Sequence, residues 1–271
     1  MPFVELASSP LAKHGGPARI FYRRYGPGFP LVFLHGGWGY SVYPFGKQID
    51  ALGRDFGIVI PDRSGYGQSG QLDTLPLDFH RRAAGETLAL LDALHVEKAV
   101  LWGHSDGSVI AAMLGLENPE RFPAIILEAF HYLRSKPLSS QGFFENMLRD
   151  PESVGPRVVE TLKAEHGDKY WKHVLRMNGE AWLALARDAR PTPDLYGGRL
   201  HELKTAVLVM QGARDPRTEP GENAAVDLEL PRAVQLVENG GHSPHSESAV
   251  AEATCQMATK FLAKVNTWVR M

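Results

Sequence analysis

The sequence of 271 residues contains a single cysteine, Cys255, and no long run of apolar residues. One cysteine cannot form an internal disulfide or a cysteine-rich metal site, and it is compatible with the reducing environment of the cytoplasm. No stretch approaches the roughly 18 consecutive apolar residues that a membrane span requires. Residues 1–20 also lack the basic-then-apolar pattern of a secretory signal. We therefore expect a cytoplasmic protein that does not associate with membranes.

Charge of either sign is not in excess, because 29 Lys and Arg residues face 31 Asp and Glu residues. This balance argues against a surface that binds nucleic acid. The histidines lack the metal-binding H-E-x-x-H spacing, and the glycines form neither a P-loop nor a G-x-G-x-x-G motif that opens a helix. We therefore expect a small-molecule substrate and no metal, nucleotide or other cofactor. No feature of the sequence specifies an oligomeric state.

Six short apolar runs recur along the chain, each bounded by Gly, Pro, Asp or His. They are too short for helices and too continuously apolar for strands with one solvent-exposed face, so they predict strands buried on both faces of a parallel sheet. Segments of helical period lie between them, including residues 79–94, 109–117 and 247–265. This alternation predicts an α/β fold with a mostly parallel sheet flanked by helices, and residues 4–6 and 20–25 predict an antiparallel hairpin at one edge. The six runs are residues 31–34, 57–60, 99–102, 124–127, 206–210 and 234–237.

The alternation of strands and helices stops between about residues 131 and 199. This segment shows three helical patterns and no buried-strand run, and it ends in a stretch rich in Pro and Gly at residues 191–198. The strand pattern then resumes at residue 206, which favours an insertion into one sheet over a separate second domain. We predict a helical cap at residues 131–199, inserted in a core formed by residues 1–130 and 200–271.

The strongest chemical signal is the sequence Gly-His-Ser-Asp-Gly at residues 103–107. It follows the predicted strand at 99–102 and precedes the helical pattern that begins at Val109. A G-x-S-x-G motif in this strand–turn–helix context is typical of a nucleophile elbow, in which glycines allow the backbone to approach closely around an exposed serine. Taken alone, the motif would more often be a plain glycine-rich turn. In its context it predicts that Ser105 is a nucleophile.

A second glycine-rich sequence, His-Gly-Gly-Trp-Gly at residues 35–39, directly follows the predicted strand at 31–34. The tetrahedral intermediate of acyl transfer carries an oxyanion, which pre-positioned backbone N–H groups must meet. We predict that the N–H of Gly37 or Trp38 and the N–H of Asp106 form this oxyanion hole. The alternative is a plain strand-to-helix turn in which Trp38 only fills the core.

A carboxylate and a histidine follow two later predicted strands, in that order along the chain. Asp215 lies beyond the strand at 206–210, and His242 lies beyond the strand at 234–237. Loops at the carboxyl ends of parallel strands meet at one edge of the sheet, where ligands bind in open α/β sheets. A serine hydroxyl needs an imidazole to accept its proton, and a carboxylate fixes the imidazole tautomer and stabilises the imidazolium. We therefore predict a catalytic triad of Ser105, His242 and Asp215.

Together these motifs resemble the α/β-hydrolase family, whose triad follows the same chain order of serine, acid and histidine. The sequence Asp-Arg-Ser-Gly-Tyr-Gly-Gln-Ser at residues 62–69 is similar to the family's glycine-rich segment after the fourth strand. The resemblance covers essentially the whole chain outside the predicted cap. It implies the α/β-hydrolase fold and a hydrolase that needs no cofactor. Ser105 also separates the chain from relatives that carry aspartate there, the haloalkane dehalogenases and epoxide hydrolases.

Three residues near the predicted triad have alternative roles. Glu128 ends a predicted strand at a position where some relatives place the acid, but Asp215 has the better loop context. His245 is three residues from His242, and we expect it to support the loop or line the pocket rather than act as the base. His104 lies within the elbow motif, and we expect its side chain to pack against neighbouring loops.

The sequence thus predicts a serine hydrolase that cleaves a carboxylic ester or a related acyl bond through an acyl-enzyme. Two other possibilities stay open. The same triad serves aminopeptidase-like and carbon–carbon bond hydrolases, and some members of the fold are receptors that use the pocket mainly to bind a small molecule. Turnover of activated esters and amino-acid arylamides, with Ser105→Ala as the control, separates these possibilities.

Asp106, directly after the predicted nucleophile, is a carboxylate where many family members carry an uncharged residue. The Ser-Asp-Gly sequence resembles that of valacyclovir hydrolase, in which this aspartate is associated with a preference for α-amino esters. A carboxylate beside the scissile bond can pair with a substrate ammonium. The predicted substrate-binding residues are therefore Trp38 and Asp106. Alternatively, Asp106 only complements the N-terminal dipole of the following helix.

Overall fold

The computed structural model describes the backbone of residues 3–269 and the side chains of residues 3–265. Within that range, eight strands form one sheet: β1 (Phe3–Leu6), β2 (Ala18–Tyr25), β3 (Phe29–Leu34), β4 (Phe56–Pro61), β5 (Val100–His104), β6 (Ala124–Glu128), β7 (Ala206–Gly212) and β8 (Val234–Val237). Their order across the sheet is β1-β2-β4-β3-β5-β6-β7-β8. Strand β2 is antiparallel to both β1 and β4, and the other neighbouring pairs are parallel. The predicted α/β sheet and its edge hairpin are both confirmed.

Eight α-helices accompany the sheet in the described part of the chain. They are α1 (Gly46–Leu52), α2 (Phe79–Ala93), α3 (Asp106–Glu117), α4 (Gln141–Arg149), α5 (Pro156–His166), α6 (Trp171–Arg187), α7 (Glu222–Glu229) and α8 (Ala251–Val269). Helix α3 begins three residues before the predicted start at Val109, because it begins directly after the turn at Ser105. The sequence patterns missed α1 and α7, since seven or eight residues are too few to establish a helical period.

Alternate residues of the central strands are buried on opposite faces of the sheet. In β3, Val32 and Leu34 pack in the cluster that includes α2 and α3, whereas Leu31 and Phe33 pack in the cluster that includes α1 and α8. All four side chains are fully buried. Burial on both faces explains the continuously apolar runs, and the parallel arrangement brings the carboxyl ends of β3 and β5–β8 to one edge.

The chain between β6 and β7, residues 129–205, contains α4, α5 and α6 and is called the helical segment below. An isolated bridge between Leu133 and Asp194 joins its beginning to its end. Arg134 reinforces this closure by donating hydrogen bonds to four backbone carbonyl groups, those of Leu185, Asp188, Arg190 and Thr192. None of the helices described combines the length and the apolar character needed to cross a membrane.

Glu165 and His166, at the end of α5, attach the helical segment to the core. The carboxylate of Glu165 accepts hydrogen bonds from the backbone N–H groups of Tyr40 (2.8 Å) and Ser41 (2.9 Å). Nε2 of His166 lies 3.0 Å from the carbonyl oxygen of Trp38. These contacts hold α5 against the loop that follows β3, one of the loops at the carboxyl edge of the sheet.

Candidate active site

Ser105 lies on a sharp turn between β5 and α3, with backbone angles φ 54° and ψ −121°. Glycines on either side of it make this turn possible. A Cβ atom on Gly103 would lie 2.1 Å from the carbonyl oxygen of Gly107, and one on Gly107 would lie 2.0 Å from that of Leu34. A positive φ at a residue other than glycine persists where the surrounding structure enforces it, often at functional sites. The turn places Ser105 at the wall of a pocket at the carboxyl edge of the sheet.

The loops after β7 and β8 bring Asp215 and His242 to Ser105. Nε2 of His242 lies 3.1 Å from Oγ of Ser105, and Nδ1 lies 3.0 Å from each carboxylate oxygen of Asp215. In this arrangement Nδ1–H donates to Asp215, which leaves Nε2 to accept the serine proton. The carboxylate is held by Gln211, whose amide donates to Oδ2 (2.7 Å), and by the backbone N–H of Arg217, which donates to Oδ1 (2.9 Å).

The surroundings of this pair favour a neutral imidazole beside an ionised carboxylate. Burial lowers the pKa of His242, and the charge of Asp215 opposes that effect only in part. Burial also disfavours the ionised form of Asp215, but His242, together with the backbone N–H and the charge of Arg217, outweighs it, so the pKa of Asp215 lies below its ordinary value. The lone pair of Nε2 is therefore available at neutral pH, which is the state that a general base requires.

The glycine-rich loop after β3 borders the same pocket through Gly36, Gly37 and Trp38. Arg63, which follows β4, fixes this loop from behind. Its guanidinium donates hydrogen bonds to the carbonyl oxygens of His35 and Gly36, and its backbone N–H donates to Nε2 of His35 (3.2 Å). With its carbonyl groups bonded to Arg63, the loop is held in one position beside the pocket.

Asp106 supplies the other predicted oxyanion donor. It is the first residue of α3, and the first four N–H groups of a helix have no partner within the helix. Gly37 lies close to the side chain of Asp106, because a Cβ atom on Gly37 would lie 2.7 Å from Oδ2 of Asp106 and 2.3 Å from Nδ2 of Asn178. The two chain segments predicted to bind the oxyanion thus lie next to each other at the pocket.

The carboxylate of Asp106 is buried and accepts hydrogen bonds from three side chains. Oδ1 accepts from Nε1 of Trp182 (2.9 Å) and Nε2 of His80 (3.2 Å), and Oδ2 accepts from Nδ2 of Asn178 (2.9 Å). Burial opposes ionisation, but His80, then Arg63 and Trp182, hold the pKa of Asp106 below its ordinary value. The charge also lies at the N-terminus of α3, where the helix dipole favours it.

Glu128, the alternative acid, belongs to a second histidine–carboxylate pair. Its Oε1 lies 2.8 Å from Nδ1 of His245, and its Oε2 accepts a hydrogen bond of 2.8 Å from Nε1 of Trp102. Nε2 of His104 lies 3.1 Å from the backbone carbonyl oxygen of His242. His245 and His104 therefore hold the loop that carries His242, as the sequence predicted for both, and Glu128 is engaged elsewhere than at His242.

The sequence analysis missed His131, which follows β6 and approaches Ser105 from the side. Nε2 of His131 lies 3.3 Å from Oγ of Ser105, and Nδ1 lies 2.8 Å from Nζ of Lys136. Lys136 in turn forms a buried ion pair of 2.6 Å with Glu222, at the start of α7. No sequence motif marks these residues, because they come from two segments far apart in the sequence, the loop after β6 and the start of α7.

Arg217, two residues after Asp215, is a second pocket residue that the sequence did not predict. Its half-buried guanidinium lies over the rings of Phe143 (4.0 Å), Trp38 (5.1 Å) and Phe144 (5.8 Å), and it lines the pocket. The only signal in the sequence is its proximity to Asp215. Its function depends on aromatic residues from the helical segment and from the loop after β3.

The pocket encloses about 320 Å³ of empty space, part of it open to solvent. Ser105, His242 and both predicted substrate-binding residues, Trp38 and Asp106, line it. Within the described residues, no three or more His, Cys, Asp or Glu side chains form a group that could hold a metal ion.

Comparison with known proteins places this arrangement in a family. The sequence profile described as "alpha/beta hydrolase fold" matches residues 30–171. The chain is 26% identical over 219 residues to serine hydrolase BPHL of Homo sapiens. The matched region covers 79% of this chain and 72% of that protein. It is 24% identical over 235 residues to the uncharacterized hydrolase YugF of Bacillus subtilis. This match covers 71% of this chain and 86% of that protein.

Solved structures share the whole fold. An esterase from Thermogutta terrifontis matches with a TM-score of 0.71 at 21% identity, over 98% of this chain and 99% of that one. An enol-lactonase from Burkholderia xenovorans matches with a TM-score of 0.68 at 18% identity, over 96% of this chain and 100% of that one. The profile match spans more than half of the chain, and the chain is therefore a hydrolase that belongs to the α/β-hydrolase fold family.

Proposed function

We propose that this chain is a serine hydrolase that cleaves a carboxylic ester or a related acyl bond of a small molecule. The observation that carries the proposal is the continuous contact from Ser105 to His242 (3.1 Å) and from His242 to Asp215 (3.0 Å). Serine, imidazole and carboxylate in this order are the arrangement that activates a serine hydroxyl. The names of the matched relatives, a serine hydrolase and an esterase, support the same class of reaction.

In the first half of the reaction, Oγ of Ser105 attacks the carbonyl carbon while Nε2 of His242 takes its proton. Asp215 holds the Nδ1–H tautomer and stabilises the imidazolium that forms. Negative charge on the carbonyl oxygen is met by the N–H of Asp106 and that of Gly37 or Trp38. His242 then returns the proton to the departing alcohol, which leaves an acyl-enzyme on Ser105.

In the second half, His242 takes a proton from a water molecule, which attacks the acyl carbon. The bond between this carbon and Oγ breaks, Oγ regains a proton from His242, and the carboxylic acid departs. These steps need only groups of this chain and water, so the proposal includes no cofactor. Trp38 and Asp106 are the proposed substrate contacts, because both line the pocket.

We also propose that residues 131–199 form a cap over the site on a core of residues 1–130 and 200–271. Trp182 and Asn178 of α6 reach the pocket wall and support this role. Limited proteolysis tests it: the exposed pair Gly197-Gly198 is the expected cleavage site, and the core should survive. The single free cysteine supports a cytoplasmic location.

The proposal is tested with a fluorophosphonate probe and a panel of 4-nitrophenyl esters and amino-acid arylamides. We expect the probe to label Ser105, and we expect Ser105→Ala and His242→Ala to lose roughly 10⁴-fold or more of turnover with the fold intact. Ser8→Ala, which replaces an exposed serine, is the control and should change neither the labelling of Ser105 nor the rate of turnover. Absence of label on Ser105 in folded protein contradicts the assignment. Labelling without turnover would favour a binding receptor, and turnover of arylamides alone would favour an aminopeptidase-like enzyme.

A further inference from the structure

Arg217 carries a charge that is near Asp215 and Asp106 but forms no ion pair with any side chain among the described residues. Its backbone N–H donates to Asp215, and its carbonyl oxygen accepts from Lys136. Its guanidinium contacts three aromatic rings but makes no hydrogen bond or ion pair with any residue that the structure describes. A guanidinium has five N–H donors, so this group lies at the pocket with its hydrogen-bonding capacity unused.

The other charged groups at the pocket are already matched. Asp106 accepts from three side chains, and Asp215 accepts from His242, Gln211 and a backbone N–H. Behind the pocket, Lys136 is paired with Glu222. Arg217 is therefore the group at this site whose charge a ligand is free to satisfy.

The aromatic contacts hold the guanidinium without consuming its donors. Cation–π attraction acts on the flat face of the group, whereas its N–H donors point outward in the plane. The guanidinium carbon lies 4.0 Å from the ring centre of Phe143 and 5.1 Å from that of Trp38, and neither ring accepts one of the N–H donors as a carboxylate would. A planar guanidinium with free N–H donors is suited to a carboxylate, which it can bind with two parallel N–H···O bonds.

We propose that Arg217 binds a carboxylate of the substrate, so that the preferred substrates are short esters bearing a free carboxylate. The proposal rests on the proposed hydrolase function. Arg217 and Ser105 line the same pocket, so the carboxylate and the scissile bond are expected to belong to one compact molecule. An ammonium directed to Asp106, by contrast, would compete with the three donors already bonded to that carboxylate.

The test compares three esters of similar length: 4-nitrophenyl hydrogen succinate, its neutral methyl ester, and 4-nitrophenyl 4-aminobutanoate. We expect the wild type to prefer the carboxylate ester, and we expect Arg217→Gln to lower the ratio of kcat/KM between the first two by about tenfold or more, as loss of hydrogen bonds to a charged group implies. Arg217→Lys keeps the charge without the two-pronged geometry and should give an intermediate ratio. Arg214→Gln, on the same loop but exposed, is the matched control and should leave the ratio unchanged.

An equal ratio in wild type and Arg217→Gln overturns the proposal, and so does a wild-type preference for the amine, which would assign selectivity to Asp106. Calorimetric binding of monomethyl succinate to Ser105→Ala needs no turnover. Binding that Arg217→Gln weakens by about tenfold or more supports the carboxylate site even if no ester is hydrolysed. Binding that is absent, or equal in both proteins, overturns it. Failure of the hydrolase proposal is thus distinguished from failure of the carboxylate site.

A different contact, between His131 and Ser105, carries a second inference. An ammonium group can only donate hydrogen bonds. Nδ1 of His131, which lies 2.8 Å from Nζ of Lys136, must therefore be the acceptor. The proton of the neutral imidazole is then on Nε2, which lies 3.3 Å from Oγ of Ser105. Burial, then the charge of Lys136, keeps the pKa of His131 well below its ordinary value. The ring is a neutral donor directed at the nucleophile.

We infer that His131 is a second catalytic histidine, whose Nε2–H stabilises negative charge on Oγ of Ser105. Oγ gains charge as it loses its proton to His242 and attacks, and again when the bond to the acyl carbon breaks. His131 transfers no proton in either step. Lys136 acts through it, as a positioning residue that fixes its tautomer.

Pre-steady-state kinetics with a 4-nitrophenyl ester measures formation and breakdown of the acyl-enzyme separately. We expect His131→Ala to slow both steps by about tenfold or more, in line with loss of a hydrogen bond to a charged group. His131→Gln, which keeps an N–H donor, should recover part of each rate. Unchanged rates in His131→Ala overturn the assignment.

The tautomer is tested separately by ring ¹⁵N chemical shifts. We expect a protonated Nε2 in His131 of the wild type. The double variant Lys136→Met/Glu222→Gln, which removes both charges of the buried pair, should populate the Nδ1–H form. A wild-type ring protonated on Nδ1 overturns the role given to Lys136 and the donor role of His131.

Discussion

The indole Nε1 of Trp182 donates a hydrogen bond of 2.9 Å to Oδ1 of Asp106, the residue directly after Ser105. Trp182 belongs to α6 of the helical segment, whereas Asp106 begins α3 of the core. Both side chains are buried, so water cannot readily replace either partner. Asn178, also in α6, donates to the other carboxylate oxygen of Asp106, so two hydrogen bonds link the position of the helical segment to the geometry of the nucleophile turn.

We predict that Trp182→Phe lowers both stability and activity. The change leaves the buried Asp106 carboxylate with one donor fewer, which costs about 1–3 kcal/mol. Urea unfolding measures the stability loss, and kcat with an activated ester measures the effect on Ser105. The matched control is Trp171→Phe, which removes a similar volume from a buried indole that is not bonded to Asp106. If both variants lose the same fraction of kcat, the bond to Asp106 has no specific role.

Gly37→Ala should remove activity with little effect on the rest of the fold. The new methyl group would lie 2.3 Å from Nδ2 of Asn178 and 2.7 Å from Oδ2 of Asp106, so the loop or both side chains must shift. Alanine keeps the backbone N–H but displaces it, and an oxyanion donor out of position is expected to cost as much as a lost one, about 10²–10³-fold in kcat. Gly46→Ala, where the added methyl group meets nothing within 4 Å, is the control and should retain full activity. Near-normal kcat in Gly37→Ala would exclude this loop from the oxyanion site.

The pH profile should report the state of His242. Because burial lowers the pKa of His242, we expect kcat/KM to fall only below the ordinary histidine value of about 6.5 as the pH decreases. Asp215→Asn removes a charge that favours the imidazolium, so the acid limb should move to lower pH. The plateau should also fall, by roughly 10⁴-fold. An acid limb above the ordinary histidine value would contradict the inferred environment of His242.

The assignment of the acid is tested by a direct comparison. Glu128→Gln breaks the pair with His245 but leaves Asp215 and His242 in contact, so its plateau of kcat/KM should stay far above that of Asp215→Asn. Circular dichroism and thermal unfolding confirm that each variant is folded. If Glu128→Gln were the more damaging change, Asp215 would be misassigned.

Glu165 should make stability depend on pH. Burial raises the pKa of its carboxyl group from 4.5 to about 7, so between these values the folded state holds a proton that the unfolded chain has released. Its contribution to stability therefore declines as the pH rises through this window. Glu165→Gln cannot ionise, so the unfolding free energy of the variant minus that of the wild type should increase from pH 5 to pH 8. Glu160→Gln, at an exposed site on the same helix, should show no such trend, and a flat difference for Glu165→Gln would refute the prediction.

Much of this site follows from sequence, because parallel strands impose a common edge. Once Ser105, Asp215 and His242 each follow a buried apolar run, the topology brings their loops together wherever the strands lie in the sheet order. The glycines of the nucleophile elbow can also be predicted from the sequence. Gly103 and Gly107 are required by close backbone contacts, which a local motif encodes.

The residues that surround the nucleophile are harder to predict. His131, Asn178 and Arg217 meet at the pocket from three separate parts of the chain, and neither strand nor helix periodicity fixes the path of those parts. The partners of Asp106 illustrate the limit. The sequence predicted a carboxylate at a helix start, but not its three donors. They come from α2 of the core and from α6, whose position depends on the course of the whole helical segment.

The loop that carries His242 is anchored at two further points, with a consequence for the energetics of the reaction. The carboxylate of Glu247 accepts hydrogen bonds from the backbone N–H groups of Gly241 (2.7 Å) and Ser243 (2.9 Å), and Glu128 holds His245. An imidazole on a loop fixed on both sides is already in its reactive orientation before a substrate arrives. Little reorganisation energy is then spent during turnover, and the folding of the chain, rather than the arrival of each substrate, has ordered the base.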